Sequence, residues 1–357
     1  MRYFLLEAPR RFIVSSMIRP PKSPLPRHDR LPGAASVMPM ATVPAWLRRA
    51  IPDAQSVAYK NVEDVALVAG GAIGALDAVV RRQERWGGAW RQRLALVAAA
   101  VTVKQDGRVE DEAALRDAVL LTRPGDFVSV GPGGLLLLAW RRLAGRPAEE
   151  LLTKKNLDAV LGEFGYAPDD AAISGLADEL RQLGAGVGMV GMLTGAFAAA
   201  ERYGFGRAAG AWLADALVAQ RLGWTHAVPL LGAEVIADLG ASRPRRSGTI
   251  PSAASIEDEG VRAKSLLAAQ ARAALRAVDL SAELGRRSER LLAVAPKLRA
   301  RASDLVVERL LSDDAVVASE KIAGMSDRGL RRLFDRLQKL GAARELSGRP
   351  TFRIYGL

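Results

Sequence analysis

The sequence predicts a mainly α protein: a multi-helix N-terminal domain, then a C-terminal winged helix-turn-helix with a small β-hairpin wing. Three observations carry that class. Alanine, leucine, arginine and glycine dominate the 357 residues while aromatic residues make up only 5%, which favours helices over sheets. Apolar residues recur every three or four positions in one segment after another. At the end, MSDRGLRRLFDRLQKLG (residues 325–341) sets arginines on a short amphipathic helix, and AARELSGRPTFRIYGL follows it with an alternation around Ser347-Gly348-Arg349-Pro350 that reads as a hairpin.

Taken in order, residues 1–43 read as a disordered basic leader, because proline recurs, acids are nearly missing and no helical period is present. Met17, Met38 and Met40 are alternative starts within it. Residues 44–240 are expected to form a helical domain. Segment 62–82 repeats apolar residues at helical spacing, with Glu63 and Asp64 at its start and arginines at its end, as the helix dipole prefers. Segments 86–104, 110–126 and 131–145 follow as further helices, with RPGDFVSVGPGG (residues 123–134) read as a turn-rich loop between the last two. Residues 172–184 run into GAGVGMVGMLTGAFAAA, a charge-free stretch too rich in glycine and alanine for a membrane span and read as a buried, closely packed helix. Residues 212–224 read as an amphipathic helix. The Ser/Pro/Gly/Arg-rich residues 241–256 are the expected linker, and 257–300 a long alanine-rich connecting helix that stops before Pro296 and couples the two parts or mediates dimerisation. In the winged segment, 301–357, SDLVVERLLS (303–312) reads as a first helix, VVASEKIAG (316–324) as a short second one, and Ser326 as the N-cap of the third.

Charge narrows the function. The net charge is +12, and it is uneven: residues 1–50 carry nine basic residues against two acids, residues 321–357 nine against three, and residues 51–256 nearly balance, 22 against 23. Basic ends around a neutral middle fit contact with duplex DNA at the ends better than a membrane-binding core. The absence of cysteine excludes disulfides, thiolate zinc sites and cysteine nucleophiles, and fits a cytoplasmic setting. Imidazole chemistry rests on His28 and His226 alone, the latter read as a polar loop residue. The single G-x-G-x-x-G, at Gly186, Gly188 and Gly191, lacks the preceding strand of a dinucleotide fingerprint and is read as small residues at a helix contact. Neither a cofactor nor a metal is expected.

On a wheel of 100° per residue, Leu330, Leu333, Phe334, Leu337 and Leu340 fall on one face of the last helix, the expected core. Arg328, Arg332, Asp335 and Lys339 lie opposite, with Arg331 and Arg336 on the flanks. A helix built this way enters the major groove, so Arg328, Arg332 and Lys339 are expected near base edges, and Arg331, Arg336 and the wing residue Arg349 on phosphates. The matching role is a transcriptional or mobile-element accessory regulator. An adaptor that uses the same module to hold a protein partner is the alternative, and a carboxylate and metal-dependent enzyme acting on nucleic acid through Glu110, Asp111, Asp117 or Asp126 is a weaker one.

Several stretches also carry a family resemblance: GAWRQRLAL (88–96), EDEAALRDA (110–118), RPGD (123–126), LLLAWRRLA (136–144), LLAVAPKLRA (291–300) and the closing LSGRPTFRIYGL (346–357). Through them the chain, from about residue 44 to 357, resembles the bacterial domain of unknown function family 1403. The resemblance implies a bacterial, helix-rich protein and supplies no catalytic residues.

Overall fold

A computed structural model describes residues 43–53, 56–123, 125–234, 253–298, 300, 302–348 and 351–357. Residues 1–42 of the expected leader and 241–252 of the expected linker lie outside these. The chain from Met40 to Leu357 makes one compact unit. Its helices are α1 (Ala45–Ala50), α2 (Val62–Val80), α3 (Gly87–Gln105), α4 (Glu112–Leu120), α5 (Phe127–Gly145), α6 (Lys154–Glu163), α7 (Asp170–Gly186), α8 (Met189–Arg202), α9 (Arg207–Arg221), α10 (Ala253–Val294), α11 (Ser303–Ser312) and α12 (Asp327–Lys339). Three short strands, β1 (Val316–Val317), β2 (Arg344–Glu345) and β3 (Ile354–Gly356), complete a mainly helical protein.

Aspartate side chains start α4, α5 and α7. Asp111 accepts from the Ala114 amide at 2.8 Å, Asp126 from Ser129 at 3.1 Å, and Asp169 from Ala172 at 2.7 Å, each satisfying an amide that the first turn leaves free. The core is then assembled from small residues at close approaches. The helix expected over 212–224 is α9, and every residue of 209–219 in it is buried, so it lies inside the bundle instead of showing a polar face along its length. It can pack so tightly because Gly210 faces Phe197 of α8, where a Cβ would sit 2.8 Å from the ring. Four buried tryptophans keep their indole N–H groups bonded: Trp90 to the Ala277 carbonyl at 2.9 Å, Trp140 to Thr102 Oγ1 at 3.1 Å, Trp212 to the Ala139 carbonyl at 2.9 Å, and Trp224 to Asp77 Oδ1 at 2.8 Å. The long α10 packs along α2 and touches α3 and α8, burying Leu266, Ala269, Leu275 and Leu284 in the same core.

Other expectations need correction. Residues 127–134 are not a loop: Asp126 caps α5 directly, and the helix is interrupted only at Gly131 (φ 71°, ψ 167°), ahead of Pro132. The charge-free stretch is not one continuous helix. α7 ends at Gly186, Val187 is extended, and α8 starts after Gly188, so two of the fingerprint-like glycines flank a break and meet no neighbouring atom within 4 Å. The close helix contact belongs instead to Gly195, against Leu183. α6 was not anticipated.

The largest departure lies at 316–324, where the expected second helix is replaced by β1 and turns. Val316 and Val317 pair antiparallel with Tyr355 and Ile354, so these β-branched residues complete a sheet of order β1–β3–β2. β2 pairs with β3 on the other side, Arg344 opposite Gly356 and Glu345 opposite Tyr355. α12 then lies on the sheet, with Phe334 stacked on Tyr355 at a centroid distance of 4.4 Å and 5° between planes. Leu330, Leu333, Phe334 and Leu337 are buried as expected, but Leu340 sits past the helix end and is 47% exposed. Ile354 is buried whereas Phe352, at φ 51°, is exposed, so the two do not share one face.

Candidate nucleic-acid interface

Ser326 starts α12, its Oγ accepting from the Gly329 amide at 3.2 Å. With the apolar face turned to the sheet, Arg328, Arg331, Arg332, Arg336 and Lys339 all project to solvent. Arg336 is partly engaged, its Nη2 donating to the Lys297 carbonyl at 3.3 Å and tying α12 to the turn that follows α10. Arg328, Arg331, Arg332 and Lys339 make no hydrogen bond or ion pair with another described residue. Arg349 lies outside the described residues. On the hairpin, Arg353 Nε stands 3.8 Å from Glu345 Oε1.

Many arginines elsewhere are occupied. Arg48 holds Asp279 through two bonds of 2.9 and 2.6 Å, Arg142 holds Glu163, and Arg272 and Arg276 share Glu234. Against that background the free cations of α12 form a surface with unspent charge, interrupted by Asp335. Bidentate guanidinium groups of this kind suit phosphate oxygens and guanine edges.

A buried charge cluster that carries little signal in the sequence ties the link between α11 and β1 to the helical body. Asp314, in the link between α11 and β1, has no exposed side-chain surface. It accepts from Arg93 of α3 and from Arg116 Nε of α4 at 2.6 Å, and Arg141 Nη2 of α5 lies 3.9 Å away. Burial pushes this carboxyl up, but the three guanidinium groups outweigh it and hold it below the usual carboxylate range. Arg141 is mostly buried, its Nε has no hydrogen-bond partner among the described residues, and burial pushes its guanidinium down. The Asp313-Asp314 pair at the end of a helical pattern was the only local signal.

The carboxylates weighed for metal chemistry are used otherwise. Glu110 accepts from Arg108 Nε at 3.0 Å, and Asp111 and Asp126 cap α4 and α5. Among the described residues no three His, Asp or Glu side chains converge to hold a metal ion. His226 is part-buried in the segment after α9, bridged to Pro147, and burial followed by the nearby Arg91 holds its imidazole below its ordinary range. None of the described helices is long and apolar enough to cross a membrane. No curated protein and no solved structure matches the chain. The family model described as Protein of unknown function (DUF1403) matches residues 34–357, nearly the whole chain, and the protein belongs to that family.

Proposed function

We propose that residues 301–357 act as a winged helix that binds duplex DNA, with α12 in the major groove and the β2–β3 hairpin as the wing. The observation that carries this reading is the exposed face of Arg328, Arg331, Arg332 and Lys339, cations without partners among the described residues. The order α11–β1–α12–β2–β3, with β3 between β1 and β2, supports it. In place of a middle helix, turns lead from β1 to the Ser326 cap, so α12 is positioned by its cap, its apolar face and the Tyr355 stack. In this reading Arg328, Arg332 and Lys339 approach base edges, Arg331, Arg336 and Arg349 hold phosphates, and the protein serves as a transcriptional or mobile-element regulator.

Fluorescence anisotropy of a labelled random-sequence duplex, titrated with the full chain over a range of salt, tests it. Affinity should fall steeply with salt. Arg332→Ala should weaken binding and change sequence preference, and Arg349→Ala should mainly lower the salt slope, by about one. Absence of binding at low salt would overturn the reading and leave the same surface to a protein partner, which co-purification would then identify.

A further inference from the structure

The helical body contains a cavity of about 240 Å³, walled by the end of α2, the start of α3, the segment after α9 and one residue of α10. Its lining combines Trp86 and Trp90 with Arg91, Thr225 and His226, and Glu84 also lines it. Arg91 stands apart from the arginines described above. Its Nε donates to the Ala144 carbonyl at 2.9 Å, and no carboxylate among the described residues pairs with it. Burial alone pushes its guanidinium down to about 10. A part-buried cation without a counter-charge is costly, and the cost is relieved when an anion enters.

A second feature has the same sign. Arg91 Nη1 lies 3.4 Å from where a Cβ on Gly87 would stand, so the guanidinium lies over the first turn of α3. Trp86, the N-cap of this 19-residue helix, makes no side-chain capping bond, and Gly87 leaves its side of the first turn open to Arg91, while Gly88 is covered by Ser312 at the end of α11. The positive end of the helix and the guanidinium therefore face one space. His226 and Thr225 add groups able to donate hydrogen bonds, and the two indoles add an apolar wall. At the edge, Gln83 holds φ 46°, a left-handed conformation that a side chain seldom adopts and that tends to collect at ligand sites. The volume falls below the range of about 300–1,000 Å³ typical of drug-sized ligands, so the space suits a ring with one acid group and not a dinucleotide. Glu84 disfavours an occupant with more than one negative charge.

We propose that this cavity binds a small aromatic carboxylate, with its acid group on Arg91 and the first turn of α3 and its ring against Trp86 and Trp90. The site requires no DNA, so its failure and that of the winged-helix reading are separable. Saturation-transfer NMR on the full chain, with benzoate as probe and benzyl alcohol as its neutral counterpart, tests it. Benzoate should bind at least about tenfold more tightly than benzyl alcohol, and Arg91→Met should remove that difference. Thr225→Trp, which obstructs the exposed side of the cavity and keeps Arg91, should abolish binding of both, and it decides the matter if Arg91→Met does not fold. Lack of benzoate binding at millimolar concentration, equal affinity for the two probes, or benzoate affinity unchanged in either folded variant would overturn the proposal.

Discussion

A carboxylate with no exposed surface, Asp314, meets guanidinium groups from α3, α4 and α5, and removing it would leave Arg93, Arg116 and Arg141 in a poorly solvated space without their shared counter-charge. Asp314→Ala is therefore expected to destabilise the protein by about 3–5 kcal/mol, the range for breaking one side of a buried ion pair, read as a shift in urea midpoint. The pH dependence has a definite sign. Because the folded carboxyl is held below its unfolded value, this stabilisation is complete above about pH 4 and is lost as pH falls through the depressed value. Asp215 has the opposite sign. Fully buried and accepting from the Leu230 and Leu231 amides, it is pushed well above the usual range by burial, so its contribution is present at low pH and lost as pH rises. Asp215→Asn keeps an acceptor for those amides and should improve stability relative to wild type as pH rises, measured by urea denaturation at a series of pH values. Neither residue was legible in advance. The partners of Asp314 lie 221 and 198 positions away along the chain, and spacing carries no trace of a contact made at that range. Ser326 was legible because a cap acts within three residues.

Elements reveal themselves in sequence to the extent that their cause is local. α2, α3 and α10 announce themselves by helical period and by the acids, arginines or proline at their ends, and the structure places them within a few residues of expectation, α10 excepted at its start. β1 has two residues and exists because β3 lies alongside it, so residues 316–324 carry a helical pattern that only a distant partner redirects. The same dependence on neighbours holds at Gly88, which looks like a helix-weakening glycine and is in fact a close approach. A Cβ there would stand 2.5 Å from the Ser312 carbonyl oxygen and 2.8 Å from its Cα, at the end of α11. Gly88→Ala must push α11 and α3 apart and is expected to cost about 1–3 kcal/mol. Ser326→Ala, which only removes a cap, should cost about 1 kcal/mol. Thermal unfolding of the two variants checks both, and an unshifted midpoint in Gly88→Ala would mean that α11 is not pressed on α3 as described.

For the whole molecule, the net charge of +12 has two explanations with different consequences. If affinity for DNA came from bulk charge, any three exposed basic residues would be equivalent. The structure makes them unequal: many arginines are committed to carboxylates, while Arg328, Arg332 and Lys339 share one face of one helix and remain without partners among the described residues. The composition shift toward the chain's ends hinted at this, and the helical wheel located the face, but only the folded chain separates paired from unpaired cations. Lys60, Lys104 and Lys155 are also exposed, on other parts of the surface, and supply the control. Replacing Arg328, Arg332 and Lys339 with alanine should reduce DNA affinity by about tenfold to a hundredfold at moderate salt and relax sequence preference, while Arg331, Arg336 and Arg349 keep most of the salt slope. Replacing Lys60, Lys104 and Lys155 removes the same charge and should leave affinity and sequence preference unchanged, apart from a small long-range effect that disappears once salt brings the screening length to about 8 Å. Equal losses in the two triple variants would assign binding to net charge and remove α12 from its proposed role, whatever the affinity of the intact chain.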